Sequence, residues 1–136
     1  MKTFTYNRNI HVYETDLMGI VHHSNYLRFC EEARVAWFRQ NGLSVLSKED
    51  IFGLVVVETR VQHKRPLRYG DQLEIEIQLQ VKGAKLLIQY HLKSAAHTFA
   101  VAETVHCRID ENFKVKRLDQ KMMRLTEKEK WTETWL

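Results

Sequence analysis

Asp16, His22 and His23 lie close together in the segment YETDLMGIVHHSNYLRFCEEARVAWFRQNG (residues 13–42), just ahead of a long amphipathic stretch. A carboxylate in a loop that enters an apolar helix is partly desolvated, which makes it a stronger base than in water. It can deprotonate water or attack an acyl carbon itself. The unpaired N–H groups of a helix start carry partial positive charge and suit an oxyanion. Acid and helix end together are equipped for attack on an acyl carbonyl, with Asp16 as base or nucleophile. At the His23 position the backbone N–H points at the carbonyl oxygen, and the ring orients water or substrate. His22 reads as structural.

Other chemistries fit these residues less well. A zinc site wants three or four convergent ligands. Adjacent histidines point apart in extended chain and no cysteine pair assists, so no metal is expected. Cys30 sits mid-helix on the apolar face, where a thiol stays protonated and inert. Ser24 has His23 beside it, but sequence neighbours rarely align for proton transfer and there is no G-x-S-x-G elbow. Tyr26 is expected to pack with its hydroxyl satisfied locally. Glu31 and Arg34, three apart, are expected to pair on the helix surface. Basic groups at two turns, Lys64, Arg65 and Arg68 at one and Lys82 and Lys85 at the other, suit phosphate groups on a ligand. Lys82 and Lys85 are favoured because they flank Gly83. No Gly-rich phosphate loop precedes a helix, so no nucleotide is expected in that mode.

The elements that must position these groups follow from periodicity. Phe4, Tyr6, Ile10 and Val12 alternate as in a strand, with Arg8 the exception on that face. Glu14 to Ser24 is irregular and holds Gly19. From Asn25 the period changes: Tyr26, Phe29, Cys30, Ala33, Ala36 and Trp37 fall at helical spacing. Ser24 or Asn25 is placed to cap the first turn. Asn41-Gly42 is placed to end the helix after about four turns. A polar connection, Ser47 to Asp50, leads to a β-rich run from Leu54 to Val61. A break follows at Lys64 to Asp71. Leu73 to Val81 alternates with Glu74, Glu76, Gln78 and Gln80, a half-buried strand. Turns at Lys82-Gly83-Ala84, Ala95 to Thr98 and Asp110 to Asn112 separate strands at Leu86 to Leu92, Phe99 to Ile109 and Phe113 to Leu118. On Phe99 to Ile109 the apolar Phe99, Val101, Val105, Cys107 and Ile109 share a face with Glu103. The order is β-α-β-β-β-β. Tight turns demand antiparallel neighbours, and the one long helix is the only cover for the apolar sheet face. The fold class is therefore α+β, with a curved antiparallel sheet of about five strands wrapped around one central helix. The opposite face is expected to be partly solvated.

Residues 1–118 form this domain, and 119–136 a charged tail. Thr126 and Glu129 have capping-box spacing, so the tail reads as a short helix. Trp131 and Trp135 suggest docking on the body or on a neighbouring subunit; the competing reading is a frayed end.

Composition removes several classes. The chain has 136 residues and one Pro, enough for one domain with a real core. A net charge of +4 is too weak to mark a nucleic-acid binder, and the aromatics sit at core periodicity rather than among Lys and Arg. No apolar run approaches a membrane span and the N-terminus lacks a signal-peptide core, so the protein is expected in the cytoplasm. Cys30 and Cys107 have no redox or metal spacing and read as buried thiols.

Thr15, Asp16, Gly19, Val21, His23, Tyr26 and Leu27, followed by Glu31, Ala33 and Arg34, form a T-D-x-x-G-x-V-x-H-x-x-Y-L string. It resembles the 4-hydroxybenzoyl-CoA thioesterase family of hot-dog folds, and within it the acyl-CoA thioesterases associated with the Tol-Pal cluster. Arg65-Pro66-Leu67-Arg68-Tyr69-Gly70-Asp71-Gln72-Leu73 is similar to the family's R-P-x-x-x-G-D-x-L segment. The resemblance covers roughly residues 4–118. It implies a hot-dog fold, sheets joined edge to edge in a dimer or dimer of dimers, and active sites at the subunit interface near the helix start. It further implies an acyl-CoA substrate cleaved to free acid and coenzyme A without cofactor. Asp16 would be base or nucleophile, and the His23 backbone would hold the thioester oxygen. Gly19, Val21, Asn25, Tyr26, Lys64, Arg65, Lys82 and Lys85 are the expected substrate contacts. Leu17 and Met18 are bulkier than the family's residues between aspartate and glycine. His63 and Lys64 stand where an aromatic and an aliphatic residue are expected, which leaves the acyl group open. Two rivals share the fold: an acyl-thioester hydratase or dehydratase, and a non-catalytic module that binds acyl thioesters or acyl carrier protein.

Overall fold

The alternating segments pair into one antiparallel sheet. A computed structural model describes residues 3–44 and 54–136. In chain order the elements are β1 (Phe4–Asn9), a 3₁₀ turn (Val12–Glu14), α1 (Ser24–Gln40), β2 (Leu54–His63), β3 (Gln72–Lys82), β4 (Lys85–Lys93), β5 (Thr98–Ile109), β6 (Val115–Lys116) and α2 (Gln120–Glu127). The sheet runs β1-β3-β4-β5-β2, with β6 also on β5. Every pairing is antiparallel, as the tight turns require. The connection expected at Ser47 to Asp50 lies outside the described residues. Among the described residues no helix is long and apolar enough to cross a membrane.

One face of the sheet packs on α1. Leu73, Ile75, Ile77 and Leu79 of β3 and Leu86, Ile88, Tyr90 and Leu92 of β4 join Phe29, Cys30, Ala33 and Trp37 of the helix in one core. The helix ends as expected, with Gly42 in the left-handed region at φ +75°. Its start differs. The N-cap is His23 and makes no side-chain cap hydrogen bond. Ser24 Oγ lies 2.9 Å from His22 Nδ1, and Asn25 Nδ2 donates to the Glu14 carbonyl at 2.8 Å. Both capping candidates are engaged elsewhere by the loop.

The alternation on β5 misleads. Its register with β4 puts Ala100, Ala102, Thr104 and His106 beneath the helix, and Val101, Glu103, Val105 and Cys107 on the far face. All eight are buried. Small residues face inward because the neighbouring Tyr90, which is fully buried, already fills that layer.

The middle of the far face is covered, and its margins are partly solvated as expected: Gln78 is buried, while Glu74, Glu76 and Gln80 are half-buried. Arg60, Glu103, Gln89 and Gln78 sit in register across β2, β5, β4 and β3. Their side chains form one hydrogen-bonded row: Arg60 Nη2 to Glu103 Oε2 at 2.7 Å, Gln89 Nε2 to Glu103 Oε1 at 3.0 Å, and Gln78 Nε2 to Gln89 Oε1 at 2.9 Å. The tail closes over it. Gln78 Nε2 also donates to the Glu133 carbonyl, Thr132 N–H donates to Gln78 Oε1, and Trp135 N–H donates to Gln89 Oε1. The Trp135 ring meets His91 at 5.6 Å. On the helix side, Trp37 Nε1 donates to Glu129 at 2.9 Å. The tail thus passes from one face of the sheet to the other beside β3, beyond the Ile77 position where β1 stops pairing. The short helix expected in the tail is present, but its cap is Asp119, whose carboxylate accepts from Met122 N–H. Thr126 lies in its last turn and does not start it. The helix begins earlier because Asp119 presents a carboxylate to the N3 amide there.

Two buried groups give testable chemistry. Burial pushes the Cys30 thiol up to about 12, so native protein should leave Cys30 unreacted with a thiol reagent at pH 8 while unfolded protein reacts fully. Burial, with Arg34 nearby, holds His106 down at about 3. The unfolded chain therefore binds a proton that the folded chain refuses between about pH 6.5 and 3. Stability should fall as pH drops through that window, with a contribution of about 1.4 kcal/mol per pH unit from this residue. Denaturant titrations of His106→Gln against the parent at pH 7 and pH 5 should show the smaller loss in the variant.

Candidate active site

The loop between β1 and α1 is a small hairpin. Asp16 N–H donates to the Ile20 carbonyl at 2.8 Å, Gly19 N–H donates back to the Asp16 carbonyl at 3.0 Å, and Thr15 bridges to Val21. Gly19 sits at φ +77°, a conformation that costs a side-chain-bearing residue 1–2 kcal/mol or so. The hairpin leans on the segment after β2: Val21 N–H donates to the Leu67 carbonyl at 2.8 Å, and Ile20 bridges to Arg68. That segment is shaped by Gly70-Asp71. Gly70 is left-handed at φ +92°, and the Asp71 carboxylate accepts from Arg68 N–H at 2.8 Å. The second motif therefore builds the wall against which the first one rests.

Between these walls lies a cleft of about 380 Å³. Asp16, Ile20, Val21, His22, His23 and Tyr26 line one side, and His63, Lys64, Arg65 and Pro66 the other. Asp16 is half-buried, and its Oδ1 accepts from Met18 N–H at 2.8 Å. At the helix start the Asn25 amide donates to the His22 carbonyl and the Ser24 amide to His22 Nδ1. The His23 N–H donates to no acceptor among the described residues. The His22 and His23 rings lie 4.2 Å apart. Tyr26 is buried, and burial raises its phenol above the ordinary range while the Leu67 backbone amide, on the hydroxyl, opposes this. Asp16 also lines a second, more polar cleft on its other side, of about 470 Å³, which holds Thr15, Ser24 and Arg28. An acid placed between an apolar and a polar cleft can meet an acyl group from one side and water from the other.

Of the expected site residues, the structure brings Asp16, Val21, His23, Tyr26, Lys64 and Arg65 to the apolar cleft. Gly19 closes the Asp16 turn without lining the cleft. Asn25 is buried, tied to the Glu14 carbonyl and to Arg28, and faces the polar cleft. Lys82 and Lys85 pair with each other at the β3–β4 turn. That is the far end of an 11-residue strand from Gln72, about 33 Å away at the usual rise; within one chain they do not reach the cleft. The helix pair Glu31–Arg34 does not form either: Arg34 turns inward and Nη1 donates to Tyr90 Oη at 3.1 Å, while Glu31 stays exposed. His63, Ile20, His22 and Pro66 line the cleft without being among the expected contacts. The His63 ring stands edge-on to Tyr26 at 4.5 Å and forms part of the cleft wall. Its signal in the sequence was only that it stands where the resemblance expects an aromatic residue. Among the described residues no three His, Cys, Asp or Glu group as metal ligands.

The chain was compared with known proteins. A 1,4-dihydroxy-2-naphthoyl-CoA hydrolase from Synechocystis sp. is 30% identical over 112 residues, covering 78% of this chain and 80% of that one. The crystal structure of a 1,4-dihydroxy-2-naphthoyl-CoA thioesterase from Synechocystis superposes with a TM-score of 0.86 at 26% identity, over 93% of this chain and 97% of the other. A hypothetical protein from Aquifex aeolicus gives 0.81 at 32% identity, over 90% and 98%. These neighbours share the hot-dog architecture of a helix held by an antiparallel sheet. The matches reach the superfamily and do not single out the Tol-Pal-associated group. Residues 10–129, which span the hairpin, α1, strands β2 to β6 and α2, match the Thioesterase-like superfamily, and the chain belongs to it.

Proposed function

We propose that the protein is an acyl-CoA thioesterase acting in the cytoplasm, with an aroyl-CoA as its preferred substrate. The reading is supported by one observation: Asp16 and His23 line the same apolar cleft, and the His23 N–H has no acceptor among the described residues. Asp16 takes a proton from water as the water oxygen bonds to the thioester carbon, or attacks that carbon itself. The developing oxyanion is held by the His23 N–H; one such donor contributes about 2.7–4 kcal/mol in other enzymes. The C–S bond then breaks and coenzyme A leaves as its thiol; the water-attack route gives the free acid directly, and the Asp16-attack route gives a mixed anhydride that a water molecule hydrolyses to the free acid and Asp16. Lys64 and Arg65 at the cleft rim meet coenzyme A phosphates. The aromatic preference is supported by the Tyr26, Val21 and Pro66 walls and by the 1,4-dihydroxy-2-naphthoyl-CoA hydrolases among the relatives.

The working unit is a dimer or dimer of dimers joined through β2. Among the described residues that strand is a sheet edge, ten residues long, with Val56 and Val57 each about half exposed, and such an edge invites pairing. A Val56→Lys, Val57→Lys double variant should elute at roughly half the parent's mass in size-exclusion chromatography with light scattering. An unchanged mass would place the interface elsewhere.

A thiol-release screen across aroyl-CoAs and aliphatic acyl-CoAs of increasing length tests the function. Fastest release from aroyl-CoA supports the reading, and fastest release from an aliphatic chain overturns the aromatic preference while keeping the thioesterase. Tight acyl-CoA or acyl-carrier-protein binding without release would make this a binding module. Consumption of enoyl-CoA absorbance would make it a hydratase.

A further inference from the structure

Two acids lie in the hairpin region, and only one reaches the apolar cleft. Glu14 points the other way and is buried. Its carboxylate takes Arg8 Nη2 on both oxygens, at 2.7 and 2.8 Å, and the His11 N–H at 2.8 Å. Arg8 is the residue that breaks the apolar alternation of β1. Its side chain is only 8% exposed, its guanidinium carbon lies 4.2 Å from the Phe29 ring centre, and Nη1 reaches Glu32 at 3.2 Å. Tyr6 Oη donates to the other Glu32 oxygen at 3.0 Å. One charged cluster thus joins β1, the loop and α1.

The same Glu14 also works through its main chain. Its carbonyl oxygen accepts from the His22 N–H at 3.0 Å and from Asn25 Nδ2 at 2.8 Å. The residue two places before Asp16 is therefore clamped to β1 by its side chain and to the helix start by its carbonyl. Asp16 and the His23 N–H are the two groups on either side of that clamp. A buried ion pair is a poor means of stabilising a fold, since apolar residues of similar size do as well. Here one guanidinium nitrogen serves both Glu14 oxygens while the other reaches Glu32, so the planar guanidinium is held by three charge-assisted contacts and fixes the geometry of the cluster.

We infer that Arg8, Glu14 and Asn25 are positioning residues that set the spacing between Asp16 and the His23 N–H, and so the turnover rate and not substrate affinity. The inference rests on the proposed role of Asp16. A misplacement near 1 Å costs about 10²-fold in rate. Glu14→Gln keeps the shape but weakens the Arg8 pair. Asn25→Ala removes only the amide clamp and the Arg28 contact. Each should lower kcat about 10- to 100-fold, with KM within about twofold of the parent.

A double-mutant cycle separates this from general loosening. In the Asp16→Asn background Glu14→Gln and Asn25→Ala should cost almost nothing more, because there is no longer a carboxylate to position. Glu14→Asp should recover part of the lost kcat, since it restores the charge opposite Arg8. Unchanged kcat in both single variants overturns the inference. So does an equal further loss in the Asp16→Asn background, or a change confined to KM. If Asp16→Asn is itself fully active, the functional reading falls, a result distinguishable from an additive cycle on an inactive Asp16→Asn background.

Discussion

Asp16→Asn should hydrolyse acyl-CoA about 10³-fold more slowly than the parent, with little change in KM or melting temperature. The substitution is nearly isosteric. An asparagine Oδ1 can still accept the Met18 N–H that Asp16 accepts at 2.8 Å, and the Asp16–Ile20 turn is closed by main-chain groups alone. The hairpin should stand, and what goes is the charge. An amide neither takes a proton from water nor attacks a thioester, so either mechanism stops. The two are separated by running many turnovers in H₂¹⁸O and measuring the mass of the peptide that contains Asp16. Label in that peptide shows attack by the carboxylate, with water opening the anhydride at the Asp16 carbon; no label there, together with no hydroxylamine trapping of an acyl-Asp16 anhydride, shows general base catalysis. Parent-like thiol release from the variant would falsify the hydrolytic role of this acid.

Removal of residues 119–136 should lower stability by about 4–6 kcal/mol, much of what a domain of this size has. Met122 is 2% exposed and belongs to the core, and a side chain of that kind contributes about 1.5–3 kcal/mol when buried. Trp37 Nε1 loses its acceptor, Glu129. The Gln78 and Gln89 side chains lose the main-chain partners that Thr132, Glu133 and Trp135 supply. Each buried polar group left without a partner costs about 1–3 kcal/mol, and water reaching the face recovers part of this. The melting temperature should fall by more than about 10 °C at this chain length. A truncated chain that melts with the parent would show the tail to be an appendage.

Both predictions rest on features that differ in how far they could be read beforehand. The helix and the β3 strand were legible because their apolar residues recur at one period over many positions, and period is a property of the chain alone. The Asp16 hairpin was legible as a motif. The cleft was less so. His63 joins it because β2 ends beside Tyr26, and Lys82 and Lys85 are excluded from it because β3 carries their turn to the opposite end of the sheet. Neither fact has a local signature. Arg8 looked like an error in an alternating strand until the fold set Glu14, Glu32 and Phe29 around it. On β5 every residue from Ala100 to Cys107 is buried, so alternation along that strand does not separate inside from outside.

The order of residues thus determined which segments form strands, helix and turns, and which carboxylate stands next to a helix start. Those are decided by backbone preference and by the spacing of apolar groups a few positions apart. Tertiary structure alone decided which distant charges neutralise one another, which sheet face the tail closes, and which side chains share a cleft with Asp16. Such choices depend on contacts between residues tens of positions apart, and they form only when whole elements dock to bury the surface they hold in common.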